Sequence, residues 1–181
     1  RAIAIAACVA VIAALAAALV TKALVGGGSD GSPSGQVTLT DAKVDGEALL
    51  AQRIETPEGT ATTLADTPGE QPVLVNFWQQ SCAPCVREMP LLDRLHRSDA
   101  AVDVVGVDPQ EPVATARRMA EKTKITYPWL RDPSGDLFYA AKGTSLPRTL
   151  LVTRDGTVLA TKTGEFSSYD QLTRWVDRHL G

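Results

Sequence analysis

The stretch at residues 73–90, VLVNFWQQSCAPCVREMP, constrains this chain more than any other. An apolar run (Val73, Leu74, Val75, Phe77, Trp78) breaks into a polar loop, two cysteines follow with two residues between them, and a helical pattern begins. The apolar run predicts a strand buried on both faces of a mostly parallel sheet. The residues after it predict a helix from Cys82 to about Arg97, with Met89, Leu92 and Leu95 turned inward. If that helix starts near Cys82, its free N–H groups and positive dipole end surround the sulfur. A thiolate there is stabilised, and its pKa falls below the free value of about 8.5. Cys85 lies one turn further on, on the same face, within reach of a disulfide. Cys82 is therefore expected as the exposed attacking thiolate and Cys85 as the more buried resolving partner. Pro84 falls in the first helical turn, where a missing N–H costs little; Pro90 lies further in and is expected to bend the helix.

Two other uses of the pair stay open at this point. A structural zinc site needs four ligands, and the chain offers only one further cysteine, Cys8, and two histidines, His96 and His179, none at ligand spacing. No metal and no cofactor are expected. A plain structural disulfide is the second alternative. A Cys-x-x-Cys pair beside a βαβ pattern favours a reactive dithiol over both.

The chain has 181 residues, 44% hydrophobic and 22% charged, with a net charge of -3, which suits one globular domain plus an appendage. Lys and Arg do not cluster, so nothing suggests nucleic acid as a partner. The appendage is the N-terminal segment, which carries no charge from Ala2 to Val20. At about 1.5 Å per residue this run reaches roughly 29 Å, one hydrocarbon core. Residues 1–25 are read as a transmembrane anchor, with a cleaved signal peptide as the rival. Arg1 suits a cytoplasmic flank, and because the first residue is not Met further residues are expected upstream. Cys8 reads as a small apolar residue of the membrane helix, since most of the apolar run follows it. Residues 26–35, GGGSDGSPSG, form a flexible linker with an end-to-end distance of about 17 Å. The globular domain occupies residues 36–181.

Within that domain, Val37 to Thr40 and Ala48 to Ile54 are expected as short strands of an N-terminal hairpin, and Thr60 to Leu64 as a further short strand. Val102 to Val107 is a second central strand, joined to the first by a right-handed crossover through the helix. A helix from about Glu111 to Lys124 follows, then extended Tyr127 to Leu130, then a short helix from Gly135 to Lys142. Thr149 to Thr153 and Thr157 to Thr163 are strands separated by Arg154-Asp155-Gly156, a hairpin signal. Ser168 to Gln171 has the capping-box pattern and opens a last helix whose Tyr169, Leu172, Trp175, Val176 and Leu180 make an apolar stripe. The order predicts an α/β fold with helices on both faces of a central mixed sheet. Trp129 and Trp175 are expected in the core, and His96 and His179 near helix C-termini.

Four segments in this order, VNFWQQSCAPCVREMP, DVVGVD, ITYPWLRDPSGDLF and SLPRTLLVTRDGTVLATKTG, resemble the thioredoxin fold and, within it, the TlpA/ResA-like membrane-anchored thiol-disulfide oxidoreductases. The resemblance covers nearly all of residues 36–181. It implies a cis peptide before Pro147, placed beside the dithiol, with Leu146 offering its backbone to an extended substrate carrying the mixed disulfide. Trp78 is expected to pack below the loop and shield Cys82. Asn76 stands where thioredoxin has a buried Asp, and an amide cannot take the proton of Cys85. Glu88 matches a glutamate of the ResA-like proteins; three residues after Cys85 it shares a helix face with that thiol, is able to relay its proton, and as an anion raises the thiol pKa values. A solvated helix glutamate is the plain alternative. The chain departs from the family in having Ser81 before Cys82, where a Trp is usual, and Ala83-Pro84 in place of Gly-Pro.

The resemblance implies an exported, single-pass, membrane-tethered enzyme whose extracytoplasmic domain exchanges disulfides with exported proteins. It points to a reductant, for instance of apocytochrome c thiols in cytochrome c maturation, fed by a membrane electron donor. The alternative direction is a disulfide-forming oxidase. A peroxiredoxin is disfavoured because residues 76–82 lack its Pro and Thr. A copper chaperone on the same fold, the non-enzyme alternative, uses cysteines one residue further apart plus a distal histidine, and none follows Pro147 until His179.

Overall fold

The computed structural model describes residues 43–98 and 100–181. The expected anchor, the linker and the strand at 37–40 lie outside the described residues. Among the described residues no helix is long and apolar enough to cross a membrane.

The elements are α1 (Gly46–Ala51), β1 (Ile54–Glu55), β2 (Ala61–Thr62), β3 (Val73–Phe77), α2 (Ala83–His96), β4 (Asp103–Pro109), α3 (Val113–Thr123), β5 (Trp129–Asp132), α4 (Asp136–Ala140), β6 (Arg148–Val152), β7 (Val158–Thr163) and α5 (Tyr169–Leu180). The strands form one mixed sheet in the order β2-β1-β5-β4-β3-β6-β7. β3, β4 and β5 are mutually parallel, β6 runs antiparallel to β3, and β7 at the edge runs antiparallel to β6.

Side chains alternate across this sheet. On β3, Val73, Val75 and Phe77 join Leu49 and Leu50 of α1 and Leu137 of α4 in one core layer. Leu74 faces the other way, into a layer with Leu92 and Leu95 of α2 and Leu172 and Val176 of α5. All five β3 residues are buried, as a strand covered by helices on both faces requires. The alternation turns Asn76 and Trp78 to the α2 face as well, which brings Asn76 to Glu88 and Trp78 to the cysteines.

Three elements differ from expectation. The segment read as a strand from Ala48 forms helix α1, because GEALLA is rich in helix formers, Asp45 accepts the Ala48 N–H at 3.1 Å, and Leu49 and Leu50 are buried together. Only Ile54–Glu55 extends, pairing with Ala61–Thr62 as a short hairpin that joins the sheet through β5. That hairpin is the observed N-terminal β extension. The capping box at α5 is half formed: the Ser168 hydroxyl accepts the Gln171 N–H, but Gln171 accepts from Ser167 rather than returning to Ser168. Helix α2 runs through Pro90 to His96, the extent expected of it. The β6–β7 turn forms where Asp-Gly placed it, with Gly156 at φ +87°.

Candidate active site

Cys82 is the N-cap of α2, and Pro84 sits in the first turn. Its half-buried sulfur accepts the backbone N–H of Cys85 at 3.2 Å. That contact is one of the free donors of a helix N-terminus directed at the Cys82 sulfur. Cys85 is fully buried. The two are joined by a disulfide, with their Cα atoms 5.3 Å apart. Trp78, Cys85, Met89, Ala116 and Met119 form an apolar cluster against which Cys82, Val86, Trp129 and Leu146 pack. The structure thus gathers Trp78, both cysteines and Leu146.

Trp78 is completely buried and meets Trp129 edge to face, centroids 6.0 Å apart. Its indole lies over Gly106, where an added Cβ would stand 2.7 Å from Nε1 and 3.0 Å from the Tyr127 ring. Glycine on β4 is therefore what lets the indole lie flat beneath the loop. The Leu146–Pro147 peptide is cis. Because Phe77 pairs with Arg148 in the β3–β6 register, Pro147 comes opposite Trp78, one position beyond the ladder. Trp129 and Trp175, expected in the core, are half-buried.

Glu88 is 0% exposed, which rules out the solvated reading. It lies among Cys85, Met89, Leu92 and Leu95 on the buried stripe of α2. Its Oε1 accepts from Asn76 Nδ2 at 2.8 Å and its Oε2 from the Phe166 N–H at 2.9 Å. Asn76 also donates to Thr149 Oγ1 at 3.1 Å. Burial pushes the Glu88 carboxyl up to about 7; the hydrogen bonds from Phe166 and Asn76 and the charge of Lys162 restrain the rise. Asn76 Oδ1 has no hydrogen-bond partner among the described residues, so the amide meets Glu88 as a donor only. The missing Asp is thus replaced by an amide that holds a carboxylate supplied from the helix.

Sequence reasoning did not connect Asn76, Thr149 and Phe166 to Glu88. The signal was there for the first two: Asn76 and Thr149 interrupt apolar strands on the face toward α2, and Glu88 interrupts an apolar helical stripe. Nothing local marks Phe166. A second buried acid, Asp108 on β4, was also missed; burial and the neighbouring Glu111 carboxylate push it up to about 8, against the pull of Arg131. Glu111 accepts the Gln80 N–H at 2.9 Å and Gln79 donates to the Pro109 carbonyl at 2.6 Å, so the end of β4 fixes the loop leading to Cys82. Among the described residues no group of three or more His, Cys, Asp or Glu could hold a metal ion.

Comparison with known proteins places this arrangement. Residues 45–161 match the AhpC/TSA family. The chain is 31% identical over 125 residues to the thiol-disulfide oxidoreductase ResA of Geobacillus thermodenitrificans, covering 68% of each chain. Among solved structures it is similar to StoA from Bacillus subtilis, at 25% identity and a TM-score of 0.56, over 68% of this chain and 94% of that one. A secreted Mycobacterium tuberculosis disulfide oxidoreductase homologous to E. coli DsbE shares the fold, at 22% identity and a TM-score of 0.63, over 73% of this chain and 98% of that one.

Proposed function

Because this chain belongs to the AhpC/TSA family and to the ResA-like thiol-disulfide oxidoreductases within it, we propose that it works as a reductant of protein disulfides outside the cytoplasm, tethered to the membrane by residues 1–25. The Cys82 thiolate attacks one sulfur of a substrate disulfide, and the other leaves as a thiolate. Cys85 loses its proton and attacks the Cys82 sulfur, which closes the Cys82–Cys85 bond and releases the second substrate thiol. Two electrons pass to the substrate, and a membrane dithiol donor returns them. Half-buried Leu146, with Pro147 behind it, offers the platform for the substrate segment carrying the mixed disulfide, and buried Trp78 supports that platform from below.

Glu88 carries this reading. Cys85 is buried, so its proton needs an acceptor inside the protein, and a carboxylate with a pKa near 7 one helical turn away suits that task. The same buried carboxylate raises the free energy of a nearby thiolate. A less stable thiolate means a less stable reduced form and a stronger reductant. The apolar run at Ala2–Val20 supports export and tethering. Apocytochrome c thiols before haem attachment are the substrate class to which the resemblance points.

The equilibrium potential of the Cys82/Cys85 couple in glutathione or dithiothreitol buffers tests the direction. A value near about −270 mV, with insulin reduction, is the expected result; one near about −120 mV, with efficient oxidative refolding of a reduced test protein, would make the enzyme an oxidase.

A further inference from the structure

Helices α2 and α3 leave a groove of about 520 Å³ beside the dithiol. Ser81 and Ala83, the two neighbours of Cys82, line it at one end. Helix α2 contributes Val86 and Arg87, and α3 contributes Arg118, Met119 and Lys122. Val86 and Arg87 follow Ala83 by three and four residues, and Lys122 follows Met119 and Arg118 by three and four, so each helix turns these residues to the groove. The floor is apolar: Met119 is 4% exposed and packs with half-buried Val86 in the cluster that holds Cys85.

The rim is basic. Three of the lining side chains are cations and none is an acid, on a chain whose net charge is -3. Arg87 is already bound to Glu165 at 2.7 Å. Arg118 meets only the neutral Thr115 hydroxyl at 3.2 Å, and Lys122 pairs with no acid among the described residues. Two exposed cations with no ion-pair partner among the described residues thus stand over the apolar floor of a groove that both neighbours of Cys82 line.

We propose that this groove selects the partner: it takes an extended segment of a partner protein in which a cysteine is flanked by acidic side chains. The carboxylates pair with Arg118 and Lys122 while the cysteine reaches Cys82. The inference rests on the dithiol exchange proposed above and adds the chemistry of the partner. Charges of this kind at an interface rim act mainly through the rate of encounter and lose their effect in salt.

Two peptides of equal length test it, each carrying one cysteine as a mixed disulfide with thionitrobenzoate, flanked by Asp and Glu in one and by Lys in the other. Attack of Cys82 on the peptide sulfur releases the chromophore as a thiolate, and Cys85 then displaces the peptide thiol. Rates with the reduced full chain, each normalised to the rate with dithiothreitol, should favour the acidic peptide by about five-fold at low salt, converging at high salt. The double variant Arg118→Glu, Lys122→Glu should reverse the preference, and Arg118→Gln, Lys122→Gln should bring the ratio close to one. Equal normalised rates for the wild type, or a ratio that neither variant moves, would overturn the proposal and leave the dithiol chemistry standing. Failure of the wild type to exchange with either peptide would overturn both.

Discussion

Replacing Glu88 with Gln separates the cost of a buried carboxylate from everything else in the fold. The Glu88 side chain is fully buried and its carboxyl is pushed from the usual 4.5 up to about 7. Below pH 4.5 folded and unfolded chains both hold the proton, and Glu88→Gln differs from the wild type by a constant. From pH 4.5 to about 7 the unfolded chain has released the proton while the folded chain keeps it, so wild-type stability falls as pH rises. Above about 7 the loss is complete. At about 1.36 kcal/mol per pH unit it amounts to roughly 3 kcal/mol. Glutamine fits the same hole and has no proton to lose. Urea denaturation of the oxidised proteins at pH 4 and pH 8 reads the difference directly. Asp108, also raised, imposes a slope of the same sign on both proteins and cancels. The stability of Glu88→Gln relative to the wild type should rise by roughly 3 kcal/mol between the two pH values. A relative stability that does not change with pH, or that falls, would refute the argument that burial dominates this carboxyl.

Arg154 donates to the Thr67 and Gln71 carbonyls at 3.1 and 2.8 Å and to Asp103 at 2.6 Å, tying the β6–β7 turn to the segment before β3; Arg154→Ala should cost about 1–3 kcal/mol in urea denaturation, and Arg154→Lys, lacking the planar fork, should recover less than half of it. Gly106→Ala forces a methyl against the Trp78 indole and the Tyr127 ring and should cost about 1–3 kcal/mol while shifting tryptophan fluorescence. Expressed in a bacterium, the full chain should fractionate with membranes and a version beginning at residue 36 should not.

Most of the sheet was legible because its strands announce themselves. β3 and β4 are short runs with mostly apolar centres, and Asp155-Gly156 marks the β6–β7 turn. The dithiol and its helix followed from one spacing. Helix α1 was misread because GEALLA is too short to show a period, and Asp45 before it was not recognised as a cap. The state of Glu88 was out of reach for a different reason. Position on a helix face follows from local spacing, but burial of that face depends on α5 and on the segment carrying Phe166, which are far away in the chain. The partners of Glu88 come from β3, and from beyond β7, and only the assembled sheet brings them together. The basic groove likewise needs α2 and α3 side by side, whereas along the sequence Arg87, Arg118 and Lys122 are scattered charges.

The account depends on Cys82 being the reactive sulfur because a helix begins at it. The most direct measurement is the rate of alkylation of the reduced protein by iodoacetamide across pH 4–10, with the modified residue mapped by mass spectrometry. Cys82 should react first, with a midpoint below about 8.5, and Cys85 should stay protected by burial. Alkylation of Cys82 no faster than that of a free thiol, or preferential modification of Cys85, would contradict the assignment.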